Sequence, residues 1–386
     1  MNIFRHILSA VLALMPACLM AQQKDLYVPH VGKSVRPGTE IIATESREGY
    51  ECRYIEFSTE RSERIRAYLL VPDHAEGRNR LPGIVMLHDH GARFDIGKEK
   101  LARPIADILP HGKEDHICRS ADQWVGKNFD GVYLADSLAR MGYVVMVADA
   151  LYWGERSSEE AQHWSQLTYG RPEHAGKQCA AMDPKSVKAK IKELKNNVYE
   201  GQKSVYDSLY EDGVIWAEKM LRDDVASVRL LAGLPYVDKD NIGAFGFSMG
   251  AHRCWMLAAF CKEVKCGVAL SWMTTLDLSE RMKASDYSMA VMPMREQMDF
   301  GDIGIFLAPK PMLFLNGRSD HLFPEDKVST AFDKLHKHYT EYEEKQGTAA
   351  GKMQHAPLQT LFFDGGHHCG KDVQTIIAEY FNRNLR

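Results

Sequence analysis

The stretch NIGAFGFSMGAHRCWMLAAF, Asn241 to Phe260, sets Ser248 between Gly246 and Gly250. Glycines on either side of the serine leave no Cβ atoms to collide where a backbone reverses sharply. With an apolar run before and a helix-like run after, this G-x-S-x-G spacing predicts a strained strand-to-helix turn that exposes the hydroxyl. A serine hydroxyl is a poor nucleophile at neutral pH and needs a base to take its proton. Two later segments offer the partners: PMLFLNGRSDHLFP delivers Asp320 at a strand end, and LQTLFFDGGHHCG delivers His367 after two glycines. Asp320 lies 72 residues beyond Ser248 and His367 a further 47, so each falls on its own loop after a later strand. The carboxylate would hold the imidazole in the tautomer that accepts the serine proton. Asp364 and His368 are neighbouring alternatives, whose other role is loop hydrogen bonding.

Such chemistry also needs donors for the negative oxygen that develops on the attacked carbonyl. The N–H of Met249, directly after the serine, is the first candidate. The second comes from GIVMLHDHGARFDIGKEK, a strand followed by His88, Asp89, His90 and Gly91, with the backbone N–H of His90 as the predicted donor. The HDH triplet and the His367–His368 pair invite a zinc reading, since histidines at a strand end can chelate. No third ligand is specified, and the serine constellation already accounts for both loops. The expectation is no metal and no cofactor.

Those loops need strands to hold them. YECRYIEFS and RIRAYLLVP around a polar turn read as an antiparallel hairpin. Further apolar runs follow at 83–88, 143–149, 242–248, 267–272, 311–317 and 358–364, near-continuous as strands covered on both faces are. Helical patterns alternate with them, at 129–141, at 214–233 and at the C-terminus, where Val373, Ile376, Ile377, Tyr380 and Phe381 share one face. The alternation predicts a doubly wound α/β fold with a mostly parallel central sheet. Between Tyr152 and Asp212 the alternation lapses, which predicts a helical insertion or lid at about 152–212. There Val187, Ile191, Leu194 and Val198 mark an amphipathic helix. Lysines 185, 188, 190, 192, 195 and 203 make either a solvated face or a basic rim for an acidic polymer.

The chain has 386 residues, 45% hydrophobic and 26% charged, with a net charge of -4, an ordinary globular balance with no basic tract for nucleic acid. MNIFRHILSAVLALMPACLMAQQ has a basic start, a short apolar run and small residues ending at Ala21. It reads as a secretory signal peptide, residues 1–21, ahead of a domain at 22–386. The apolar run is too short to span a bilayer, so no stable membrane insertion is expected. Lipid attachment at Cys18 is a second reading, with Met15 and Pro16 as poor preceding residues. Seven cysteines remain after removal of that segment, an odd scatter that does not read as a disulfide framework, although Cys261 and Cys266 could pair.

Taken together, LHDHGARFDIGKEK, DALYWGER, LPYVDKDNIGAFGFSMG, NGRSDHLFP and DGGHH resemble the α/β-hydrolase superfamily. More narrowly they resemble the exported dienelactone-hydrolase and acetylxylan-esterase-like serine hydrolases, including those of Bacteroidetes glycan-uptake systems. The resemblance runs from Gly49 to the C-terminus. It implies the α/β-hydrolase fold, a triad of Ser248, Asp320 and His367, and an oxyanion hole at Met249 and the HDHG loop. Dienelactone hydrolases themselves use a cysteine nucleophile, where this chain has Ser248. Glucuronoyl esterases carry an arginine where Met249 stands.

The expected activity is serine-dependent hydrolysis of carbohydrate esters on a poly- or oligosaccharide, in the periplasm: deacetylation of xylan-like sugars first, methyl-ester removal from a uronic acid polymer second. Arg93, Lys98 and the insertion lysines are candidate contacts for the latter. Trp153 is either a sugar platform or a packing aromatic, and Arg253 either reaches the site or anchors its helix against a carboxylate. The rivals are a serine peptidase of the prolyl-oligopeptidase type and a non-catalytic glycan-binding homologue.

Overall fold

The computed structural model describes residues 26–32, 38–59, 63–75, 77, 80–171, 183–284, 286–346 and 357–385. The predicted signal segment, Cys18 and Cys179 lie outside them. Among the described residues nine strands hydrogen-bond into a sheet: β1 (Thr39–Arg47), β2 (Tyr50–Ser58), β3 (Arg64–Pro72), β4 (Leu81–Leu87), β5 (Val144–Ala148), β6 (Val237–Phe247), β7 (Cys266–Leu270), β8 (Met312–Gly317) and β9 (Leu358–Phe363). Their spatial order is β1-β2-β3-β5-β4-β6-β7-β8-β9. The β1–β2, β2–β3 and β3–β5 pairs are antiparallel and the rest are parallel. This is the α/β-hydrolase fold.

The apolar runs are continuous because both faces are covered. Val85, Leu87, Val144 and Met146 enter one core, while Ile84, Met86, Val145 and Val147 enter the other, as the two-residue period of a strand requires. On the second face lie α1 (His116–Asn128) and α2 (Leu134–Arg140). Within the predicted insertion span, after β5, come α3 (Glu159–Tyr169) and α4 (Pro184–Glu211); the N-terminus of α4 is capped by the Asp183 carboxylate ahead of Pro184. The first face carries α5 (Trp216–Ala232), α6 (Met249–Phe260) and α7 (Glu325–Gln346). The last helix, α8 (Lys371–Asn384), returns to the second face through Val373, Ile377, Tyr380 and Phe381.

Two elements depart from expectation. Strand β1 was not predicted: Ile41 and Ile42 are 54% and 45% exposed, so it is held by its backbone ladder to β2 rather than by a buried stripe. The helix expected at 129–141 is broken. Asp130 and Gly131 both take positive φ (52° and 76°), closing α1 and starting α2 three residues later. The six described cysteines are buried free thiols, Cys261 and Cys266 among them. No helix of the described residues is long and apolar enough to cross a membrane.

Candidate active site

Strand order reverses around β4, which lies between β5 and β6. Open α/β sheets form their crevice outside the carboxyl ends of the strands at such a point. The loop after β4 carries His88 to Gly91, and β6 ends at Ser248. Ser248 has φ 56° and ψ -124°, a left-handed backbone that is costly for a residue with a side chain. Its N–H donates to the Leu270 carbonyl (2.8 Å) and its own carbonyl accepts from Ala251 (2.7 Å), so the turn is held from both sides. A Cβ on Gly246 would collide with the Gly250 carbonyl, and one on Gly250 with the Leu87 carbonyl at the end of β4. The two glycines thus let α6 start directly against the strand ends. Replacing Gly250 by alanine is expected to force β4 and α6 apart. The expected loss is about 1–3 kcal/mol of stability, read by urea unfolding, together with activity.

The loops after β8 and β9 are laced together by Arg318 N–H to Phe363 O and Ser319 N–H to Gly365 O, both 2.9 Å. The lacing brings His367 to Asp320: Nδ1 lies 2.8 Å from Oδ2. Asp320 is buried, and its other oxygen accepts from the N–H groups of Leu322 (2.9 Å) and Phe323 (3.3 Å). The imidazole packs against Phe247 and Phe323. Of the alternatives, the Asp364 side chain is fully exposed beside Arg318, and His368 turns to Asp130.

Ser248, Met249, His90 and His367 line one cavity of about 760 Å³, with Trp272 and Phe323 among its apolar walls. As the first residue of α6, Met249 has no intrahelical partner for its N–H. The histidines of the HDH triplet are engaged within the protein. His88 lies between the Asp89 carbonyl (3.0 Å, Nδ1) and the Ala150 N–H (3.0 Å, Nε2), and burial holds its pKa far below the ordinary value. His90 lies 2.8 Å from Gln202 through Nε2 and accepts from Ala92 N–H through Nδ1, with its pKa pushed down to about 4 by burial.

Three expected substrate contacts are corrected. Arg93 does not line the cavity: it is buried against Asp95, Gln123 and Ser120, with its guanidinium over the Tyr169, Trp164 and Trp124 rings. Trp153 is fully buried and donates Nε1–H to the His90 carbonyl, which leaves no face for a sugar. Lys98 is also buried, paired with Asp149 (2.8 Å) and Glu155 (2.7 Å). The insertion lysines do not line the cavity either; Tyr199, 53% exposed, is what α4 contributes. Arg253 anchors α6 by a two-point pair with Asp224. Tyr199, Trp272, Lys283, Arg295 and Lys327 enter the lining without having been foreseen. Tyr199 follows the buried Val198 by one residue, about 100° around the helix and off the Leu194–Val198 stripe, so only the docking of α4 tells that its side meets the crevice.

The sequence model of the dienelactone hydrolase family matches residues 121–345, more than half of the chain. The chain belongs to the dienelactone hydrolase family. A relative of this family member is YtaP of Bacillus subtilis (strain 168), which carries a hydrolase designation and is 23% identical over 290 residues, 74% of each chain. Three solved structures share the fold. A Bacteroides fragilis NCTC 9343 protein with an acetyl xylan esterase designation matches at TM-score 0.57 and 18% identity, covering 89% of this chain and 73% of that one. Acetyl xylan esterase 1 from Thermoanaerobacterium sp. JW/SL YS485 matches at 0.50 and 13%, covering 92% and 90%. A glucuronoyl esterase from Solibacter usitatus matches at 0.55 and 10%, covering 94% and 89%.

Proposed function

We propose that this protein is a serine-dependent carboxylic-ester hydrolase acting on carbohydrate esters, with acetyl groups on a xylan-like chain as the leading substrate. The observation that carries the reading is the convergence of a strained, cavity-lining Ser248 with a His367 imidazole backed by Asp320 at 2.8 Å. His367 takes the Ser248 proton as Oγ attacks the ester carbonyl. The oxyanion is received by the Met249 and His90 N–H groups, and the imidazolium returns its proton to the departing sugar alkoxide. Water, deprotonated by the same base, then releases acetate from the acyl-serine. These steps draw on no cofactor. Tyr199 takes over the sugar-facing role expected of Trp153, since its ring borders the cavity and is open to solvent. The predicted signal segment supports a reaction outside the cytoplasm, where polysaccharide is met.

A second reading is methyl-ester removal from a uronic acid polymer, favoured by the exposed Lys283 and Lys327 in the lining. Incubating the purified protein with acetylated xylan and with methylated pectin, and measuring acetate and methanol, separates the two. Acetate release is the expected result. Methanol alone would move the assignment to the uronate ester, and turnover of a proline amide without either would move it to a peptidase.

A further inference from the structure

We propose that Lys100 is a positioning residue that aims the His90 N–H into the cavity by binding the carbonyls of both Asp89 and His90 from behind. The inference rests on the serine-hydrolase reading above and adds a part that reading lacks. Lys100 is fully buried, and its ammonium donates to Asp89 O at 2.8 Å and to His90 O at 2.9 Å. Its third direction faces Asp89 Oδ2 at 3.5 Å, an oxygen that has no hydrogen-bond partner of its own.

The geometry follows from peptide planarity. The Asp89–His90 bond is trans, so the His90 N–H lies antiparallel to the Asp89 carbonyl. With that carbonyl held on Lys100, the N–H must point the opposite way. The next peptide is fixed as well, since the His90 carbonyl also accepts from Trp153 Nε1 at 3.0 Å. Asp89 is tied in turn by Trp124 Nε1–H to Oδ1 at 3.2 Å. Three donors on one compact ammonium thus converge on two successive residues of the loop. An apolar side chain in that place would take one donor from each of two buried carbonyls, leaving His88 Nδ1 on Asp89 O and Trp153 Nε1 on His90 O. It would also strip the Asp89 carboxylate of its facing cation, so the loop would lose the contact that fixes the plane of both peptides. Donor direction matters because a donor counts only when it is aimed at the oxygen's position in the transition state.

The facing charges make the device pH-sensitive. Burial pushes Lys100 down to about 8, opposed by Asp89 and Asp95 and assisted by Arg93; the neighbouring His88 is neutral. A lysine in the unfolded chain titrates near 10.4. Between those values the unfolded chain binds the extra proton, so the contribution of Lys100 to stability rises with pH across that window. The neutral amine meanwhile has one donor fewer than its three acceptors. Activity is therefore expected to fall above about pH 8 as the clamp loses a donor.

The experiment compares wild type, Lys100→Met and Ser248→Ala on p-nitrophenyl acetate, with phenylboronic acid as a mimic of the tetrahedral oxyanion. For Lys100→Met with native circular dichroism, kcat is expected to fall by about 100-fold, as for loss of one oxyanion donor, with boronate affinity falling in parallel and KM nearly unchanged. A folded Lys100→Met with kcat and boronate affinity within about threefold of wild type overturns the clamp. If Lys100→Met does not fold, the wild-type pH profile decides. A fall in kcat above about pH 8 with circular dichroism retained supports the clamp, and a flat profile to about pH 10 overturns it. An active Ser248→Ala would instead overturn the parent reading, so the two failures are told apart.

Discussion

Ser248→Ala is expected to remove ester turnover by about 10⁴- to 10⁶-fold, the range seen when a serine nucleophile is deleted from a triad. The residual rate would come from the oxyanion donors and from binding, which the substitution leaves in place. Stability should hardly change. Serine and alanine both carry a Cβ, and both bear the same strain at φ 56°. The bonds that hold the turn, from its own N–H to Leu270 and from Ala251 to its carbonyl, are made by backbone atoms. Measuring kcat on p-nitrophenyl acetate beside thermal unfolding tests both halves. Unchanged turnover with unchanged melting would remove Ser248 from the chemistry.

Asp320→Asn is expected to cost about 10⁴-fold in kcat. The aspartate accepts the Nδ1 proton of His367 at 2.8 Å, which leaves Nε2 free to act as base. An asparagine that turns its amide nitrogen to the same place would donate to Nδ1, and the ring proton would move to the nitrogen that must accept from serine. The other carboxylate oxygen binds the Leu322 and Phe323 N–H groups, contacts that the asparagine carbonyl keeps. The loop should therefore remain folded, and KM should move far less than kcat. An Asp320→Asn enzyme with kcat within about tenfold of wild type would transfer the orienting role to another carboxylate.

Much of this arrangement is legible along the chain because each part has a local signature. The apolar runs that became β4 to β8 betray a sheet covered on both faces. The glycines around Ser248 are demanded by carbonyl oxygens of Gly250 and Leu87 that stand where a Cβ would go. Gly317 at the end of β8 is likewise demanded, because a Cβ there would meet the Gly365 and Gly366 carbonyls of the β9 loop. Strand β1 escaped because backbone pairing at an edge needs no apolar period.

What residue types and spacing determined by themselves was the strand–helix alternation, the sharp turn at Ser248, and the delivery of Asp320 and His367 by later strand ends. Only the tertiary structure decided which polar side chains face the cavity and which are spent inside. Arg93, Trp153 and Lys98 look in sequence like surface groups ready for a sugar, yet each is consumed by partners that distant elements bring. Lys100, two residues from Lys98, is aimed at the loop carrying the expected oxyanion donor by the same folding. A side chain's type reports what it can bond. Its availability depends on which neighbours reach it first, and these come from across the chain.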